Sequence, residues 1–434
     1  MSPGEVAAIL FGTFGVLVVL RIPVSFALGL ACIPVFFLDD RLTPIMLLGE
    51  MLKSYNAFIL LAVPFFLLAA NLMNAAGITE RLVALARAVV GHLPGGLAHV
   101  NVVVSMLFAG ISGSSTADAA GIGSLMIPAM KKQGYDASFS VAITACSSVM
   151  GVIIPPSIMM IVWGGLMSVS IAGLFLAGVL PGLAIALLMM TTVWVYANKR
   201  GYPVYDRASW GTLIRATTAA ILPLLTPAII VGGIVGGLFT PTEASAVAAL
   251  YSAALGCLVY RSIDRARFTE VCYDSARLAS ISLFCIGTAS AFGWLLAYFR
   301  IPQTLVDFMA QWGTGPTATG FLIAAAFLFV GMFIDAIPAI IVVGTVLMPV
   351  ATNVGMHPVH FAMIGIVSLA FGLVTPPYGL CLLISCTLGQ VRMANVLKDV
   401  AIVLAPMLGL LVVIIVFPGF VLWLPTLLAP GYVR

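Results

Sequence analysis

The chain has 434 residues, 62% of them hydrophobic and 8% charged, with a formal net charge of +4. Soluble globular proteins carry about 25% charged residues, so a water-facing surface over most of the molecule is excluded, as is the basic face of a nucleic-acid binder. Lipid must solvate most of the chain, and its long apolar runs predict an all-α polytopic membrane protein.

The apolar run from Val6 to Leu20 precedes the first basic residue, Arg21. A cleavable signal peptide opens on a basic segment, so this run reads as a permanent first span. After the acidic turn Asp39-Asp40, a third span lies near 57–76. Residues 95–130 then hold two apolar stretches split by Gly110-Ile111-Ser112-Gly113-Ser114-Ser115-Thr116-Ala117-Asp118. Hydroxyls, glycines and a carboxylate at membrane depth are costly unless they line a cavity. Glycine lets the backbone unwind, and free carbonyls with Ser and Thr oxygens suit a hard cation such as sodium. Close packing of helices through small residues is the competing reading, and Asp118 argues against it. Farther on, Ile154-Pro155-Pro156-Ser157 interrupts the apolar stretch from Val141 to Met167. Two prolines remove two donors, which leaves carbonyls such as those of Val152 and Ile153 as candidate cation ligands.

In the second half, Phe239-Thr240-Pro241-Thr242-Glu243-Ala244 forms a turn between spans, where Glu243 either caps a helix or meets substrate. Gly331-Met332-Phe333-Ile334-Asp335-Ala336-Ile337-Pro338 places a carboxylate in an apolar run, a functional position by default. Thr375-Pro376-Pro377-Tyr378-Gly379 repeats the Pro-Pro break. Arg300 reads as a snorkelling helix-end residue, and His357 and His360 fall in a predicted loop without further metal ligands. The seven cysteines form no CxxC pair and read as packing residues. The sequence contains no Walker A motif, HExxH or Ser-His pair at membrane depth, so no enzyme activity is expected.

Displaced by 221 residues, the chain meets itself: Phe108 on Phe329, Gly110 on Gly331, Gly123 on Gly344, Pro128 on Pro349, Gly151 on Gly372, and Pro155-Pro156 on Pro376-Pro377. Most matches are residues that shape backbone rather than residues that are merely oily. The loop carrying Lys131 and Lys132 matches 352–357, which has no Lys or Arg. Basic loops stay cytoplasmic, so the halves are expected to be inverted repeats. The first covers 1–212 (scaffold 1–93, hairpin and broken helix 94–170, closing helix 171–197). The second covers 213–434 (scaffold 213–315, hairpin and broken helix 316–390, closing helix 391–424). About ten transmembrane helices plus two re-entrant hairpins place the basic clusters at Arg81/Arg87, Lys199/Arg200/Arg207, Arg261/Arg265/Arg267 and Arg392/Lys398 inside, with both termini periplasmic.

These motifs, together with Arg21-Ile22-Pro23-Val24-Ser25-Phe26-Ala27, resemble the large membrane subunit (DctM or SiaM type) of tripartite ATP-independent periplasmic (TRAP) transporters over nearly the whole chain. The resemblance implies an elevator-type, sodium-coupled importer of the bacterial inner membrane. Its substrate would be an organic acid: a C4-dicarboxylate, sialic or other sugar acid, or keto acid. Its partners would be a small four-helix membrane subunit (DctQ or SiaQ type) and a periplasmic solute-binding protein (DctP or SiaP type), with sodium as coupling ion and no cofactor. A stand-alone sodium- or proton-coupled carboxylate transporter is the alternative. One sodium site is expected at Ser112, Gly113, Ser114, Ser115, Thr116, Val152, Pro155 and Ser157. Its mate is expected at Asp335, Pro338, Thr375, Pro376, Pro377 and Gly379. Asp118, Tyr378, Thr242 and Glu243 are the candidates for contacting substrate.

Overall fold

The computed structural model describes residues 1–204, 206–311 and 315–432, with only the backbone of Ala310. The end of segment 213–315 and the C-terminal residue used in the topology lie outside the described residues.

Short polar residues set the helix starts. α1 (Pro3–Val19) opens on a capping box in which Ser2 Oγ accepts from the Glu5 N–H and Glu5 accepts from the Ser2 N–H. α2 (Val24–Leu38) ends at Asp39, which accepts two bonds from the Arg41 guanidinium at 2.9 and 2.6 Å. That pairing holds the Asp39 carboxyl well below the usual carboxylate range. α3 (Pro44–Ser54) contributes no buried residue, and a 3-10 turn, Phe58–Leu61, leads into α4 (Ala62–Ala75). α5 (Ile78–Val90) follows, with Arg81 stacked 3.7 Å above the Tyr260 ring.

α6 (Gly96–Ser112) and α7 (Ser115–Lys132) pack on each other across a two-residue break, Gly113-Ser114. Gly113 takes the left-handed backbone (φ 63°) that stops α6, and Ser114 Oγ accepts from the Ala117 N–H to start α7. α8 (Ala137–Ser148) and α9 (Met150–Ile153) lead to the first Pro-Pro break, after which α10 (Ile158–Met167) departs at 41°. α11 (Ile171–Arg200) closes the half.

The second half runs α12 (Trp210–Val235), α13 (Pro241–Ala254) extended by a π-helical turn, α14 (Arg265–Tyr298) and α15 (Ile301–Ala310). Next come α16 (Pro316–Gly331), α17 (Ala336–Ala339), a second π-helical turn and α18 (Thr345–Asn353). α19 (Pro358–Gly372), α20 (Leu380–Gly389), α21 (Met393–Val416) and α22 (Gly419–Leu428) complete the chain. Displaced by 221 residues, α7 covers 336–353, the bounds of the arm from α17 to α18.

The protein is an all-helical membrane protein. Among the described residues, seven helices are long and apolar enough to cross a bilayer alone, and the bent α8–α10 run makes an eighth. The expected set of about ten also counts shorter apolar helices such as α1 and α2. The halves also differ in one element, and one expectation needs correction. In the second half one unbroken helix of 34 residues, α14, stands where the first has α3, the 3-10 turn and α4. At 1.5 Å per residue that is about 50 Å, longer than the ~30 Å hydrocarbon core. His360 is not in a loop but is buried in the first turns of α19, with Nε2 2.8 Å from the Ile414 carbonyl oxygen.

The halves are interleaved. α2 and α4 pack against α14, and α4 packs against α13. On the other side, α7 and α8 pack against α20, and α8 against α21. The hairpin-and-break segments of the two halves thus pack on each other, and so do their scaffold helices.

Candidate functional site

Between the hairpin tips and helices α4 and α14 there is a cavity of about 480 Å³. Its walls include Ser112, Gly113, Ser114, Ser115 and Thr116 from the first hairpin tip and Asp335 from the second. Val152 and Ile158 flank the first Pro-Pro break, and Leu373 precedes the second. Asn71 and Asn74 of α4 and Ser282 of α14 form the scaffold side.

Backbone bonds tie each tip to its own break. The Ile158 N–H donates to the Gly113 carbonyl at 3.2 Å, and the Tyr378 and Gly379 N–H groups donate to the Met332 carbonyl at 3.2 and 3.3 Å. Both Pro-Pro bonds are cis. Ser157 Oγ donates to the Val152 carbonyl at 2.8 Å and accepts from the Met160 N–H, so it orients one candidate ligand while capping α10. The Ile153 carbonyl does not face the cavity. It abuts α11, where a Cβ added at Gly178 would lie 2.3 Å from it.

The two carboxylates differ in access to the cavity. Asp335 is exposed into the cavity, with Oδ1 accepting from the Ala336 N–H at 2.8 Å. Asp118, expected to meet substrate, is fully buried behind the wall and bonded to the Ser112 hydroxyl. Its Oδ2 and the Ser115 hydroxyl have no hydrogen-bond partner among the described residues. A Cβ on Gly151 would lie 2.6 Å from that Oδ2 and 2.9 Å from the Ser114 carbonyl oxygen. Only glycine therefore lets α9 approach the hairpin tip so closely. Buried oxygens without partners beside unwound backbone are groups that a hard cation can satisfy.

The remaining expected residues divide. Pro155 and Ser157 are buried behind the first wall. Pro338 is buried, Thr375 Oγ1 is spent on the Phe371 carbonyl at 2.6 Å, and Pro376, Pro377 and Gly379 shape the break without lining the cavity. Tyr378 is 47% exposed and outside the cavity. Thr242 and Glu243 also lie away from it: Thr242 Oγ1 donates to the Phe58 carbonyl at 3.3 Å, and Glu243 closes a capping box with Thr240 at the start of α13. For Glu243 the capping role is therefore the one the geometry supports. Asn71, Asn74 and Ser282 escaped the sequence reading. The available signal was two carboxamides three residues apart within an otherwise apolar span.

The family model described as "Tripartite ATP-independent periplasmic transporter, DctM component" matches residues 11–420. The chain belongs to this family. The sialic acid TRAP transporter large permease protein SiaM of Vibrio cholerae is 37% identical over 96% of this chain and 98% of that one. The C4-dicarboxylate TRAP transporter large permease protein DctM of Pseudomonas aeruginosa is 34% identical over 87% of this chain and 88% of that one. Among solved structures, the Alcanivorax borkumensis YdaH transporter superposes with a TM-score of 0.57 at 15% identity, covering 86% and 87% of the two chains. That likeness concerns the fold alone. As a TRAP large permease, the chain is a transporter subunit and not an enzyme.

Proposed function

We propose that this permease imports an organic anion, coupled to sodium, as the translocating subunit of a tripartite assembly in the bacterial inner membrane. A small four-helix membrane subunit and a periplasmic binding protein complete that assembly. The observation that carries the reading is one cavity in which both hairpin tips, with Val152, Ile158 and Leu373 from beside the Pro-Pro breaks, face α4 and α14. The hairpins present the ligands and the scaffold helices present a wall, which suits an elevator in which the hairpin units slide along the scaffold. Sodium is held at the first tip by Ser112, Ser114 and the Val152 carbonyl, and at the second by Asp335. The anion occupies the cavity between them. Both relatives named above carry substrate names that are carboxylates, which supports this class without choosing its member.

The inverted topology is proposed on the same footing. Lys131 Nζ donates to the Gly389 carbonyl at 2.9 Å, and Arg200 pairs with Asp136 and Asp399. Several basic loops therefore gather at one end of the molecule, as a shared cytoplasmic face requires.

The test is uptake of N-acetylneuraminate and of succinate into proteoliposomes holding both membrane subunits with the binding protein outside. Uptake of one of them that requires a sodium gradient is the expected result. If the large subunit alone accumulates solute, the stand-alone carrier replaces this reading.

A further inference from the structure

A second cavity, of about 410 Å³, adjoins the first and shares Asn71, Asn74, Leu278 and Ile281 with it. Its outer wall is the face of α14 that carries Arg267, Asp274 and Arg277. Accepting the carrier function proposed above, we propose that Arg277 and the Asn74 carboxamide form an anion way-station through which the substrate's carboxylate passes between the hairpin cavity and the face of the basic loops.

Two observations converge on these two residues. Thr79 Oγ1 donates to Asn74 Oδ1 at 3.2 Å, which keeps the N–H groups of Asn74, a residue that lines both cavities, as its donors. Arg267 is committed to Glu270, 2.7 Å away, whereas Arg277 makes no ion pair among the described residues. A guanidinium can engage a carboxylate through two parallel N–H donors, a geometry a point charge lacks. Asp274, one turn earlier on the same wall, opposes retention of an anion. The site is consequently a weak one, suited to passage rather than storage.

The arrangement belongs to one half. At the 221-residue offset Arg277 meets Asn56, and Asp274 meets Lys53. No arginine is therefore repeated at the matched position that would serve the opposite face. The attraction acts from one side of the membrane, and its loss has a sided signature.

The test uses the complete transporter in proteoliposomes with the basic-loop face lumenal. One arm is exchange of N-acetylneuraminate or succinate. Arg277→Gln should raise the half-saturation for internal anion about threefold, as expected for a solvent-screened charge contact, while the external value stays the same. Arg277→Lys should fall between, because it keeps charge but not the fork. Arg207→Gln, in the linker, should leave both values unchanged. A second arm needs no transport: a cysteine introduced by Ile281→Cys should react faster with an anionic methanethiosulfonate than with a cationic one, and Arg277→Gln should erase that preference. Unchanged internal half-saturation in Arg277→Gln, or an equal shift on both sides, overturns the proposal. If the labelling preference depends on Arg277 while neither anion is carried, the way-station stands and the carrier reading fails for these substrates.

Discussion

The two hairpin-and-break units share a backbone plan and differ in chemistry. In the first, the 158 N–H reaches the 113 carbonyl; in the second, the matched 379 N–H reaches the 332 carbonyl. Ser114 and Asp335 are also matched at the offset, and both are N-caps: Ser114 of α7, Asp335 of α17. The first tip is a two-residue turn crowded with hydroxyls, while the second is a four-residue turn, Met332 to Asp335, with a single carboxylate. Glycine and proline kept the shape of the unit while the side chains at corresponding points diverged. Two such units give one cavity a neutral oxygen-rich wall and an anionic one, which identical copies would not.

Neutralising the anionic wall is the strongest way to break this comparison. Asp335→Asn should lower sodium-driven uptake by about tenfold or more, as loss of a charged ion ligand does. Ser114→Ala, which removes one neutral oxygen, should cost only about fivefold. Equal losses in the two variants would show that the charge difference between the tips is irrelevant to coupling. Initial rates across a series of sodium concentrations separate the cases.

Backbone proximity offers a second test. A Cβ on Gly372 would lie 2.7 Å from the Gly331 backbone, whereas one on Gly151 would meet Asp118 Oδ2 and the Ser114 carbonyl. Each alanine variant should destabilise by about 1–3 kcal/mol through overpacking, seen as a lower Tm in detergent. Gly151→Ala should in addition weaken protection of the protein by sodium in that melt, and Gly372→Ala should not. A sodium effect lost equally in both would remove the assignment of the first site.

Smaller effects follow from Ser157 and Tyr378, a third matched pair. Ser157→Ala loses a helix cap and the bond that orients the Val152 carbonyl, at about 1 kcal/mol. Tyr378→Ala, at an exposed position, should stay within about 0.5 kcal/mol. The smallest change is expected for Glu243→Gln, which should leave uptake at the wild-type level and shift Tm only slightly. A transport defect there would return Glu243 to the substrate path.

Much of the plan was legible in the chain because backbone-breaking residues act locally. Gly113 stops a helix wherever it stands, and two consecutive prolines free carbonyls regardless of neighbours. The division of labour among polar residues was less legible. Asp118 and Asp335 looked alike as carboxylates in apolar runs, yet one is sealed behind a wall and the other opens into the cavity. Glu243 was ambiguous between two roles until the bonds to Thr240 were visible. Asn71 and Asn74 passed unnoticed because nothing local distinguishes a carboxamide facing a cavity from one that packs between helices.

The sequence by itself determined that the chain lives in lipid, that it is helical, that it is built twice, and where its helices break. Each follows from composition or from constraints spanning a few residues. Tertiary structure alone decided which half supplies each wall of the cavity, because α4 reaches it only by packing against α13 and α14 of the other half. It also decided that Arg277 of α14 borders the same cavity as Asn71 and Asn74 of α4. Those placements depend on contacts between segments some two hundred residues apart, which no local rule for helix or turn encodes, although the Arg267–Glu270 pair, three residues apart on α14, is itself local.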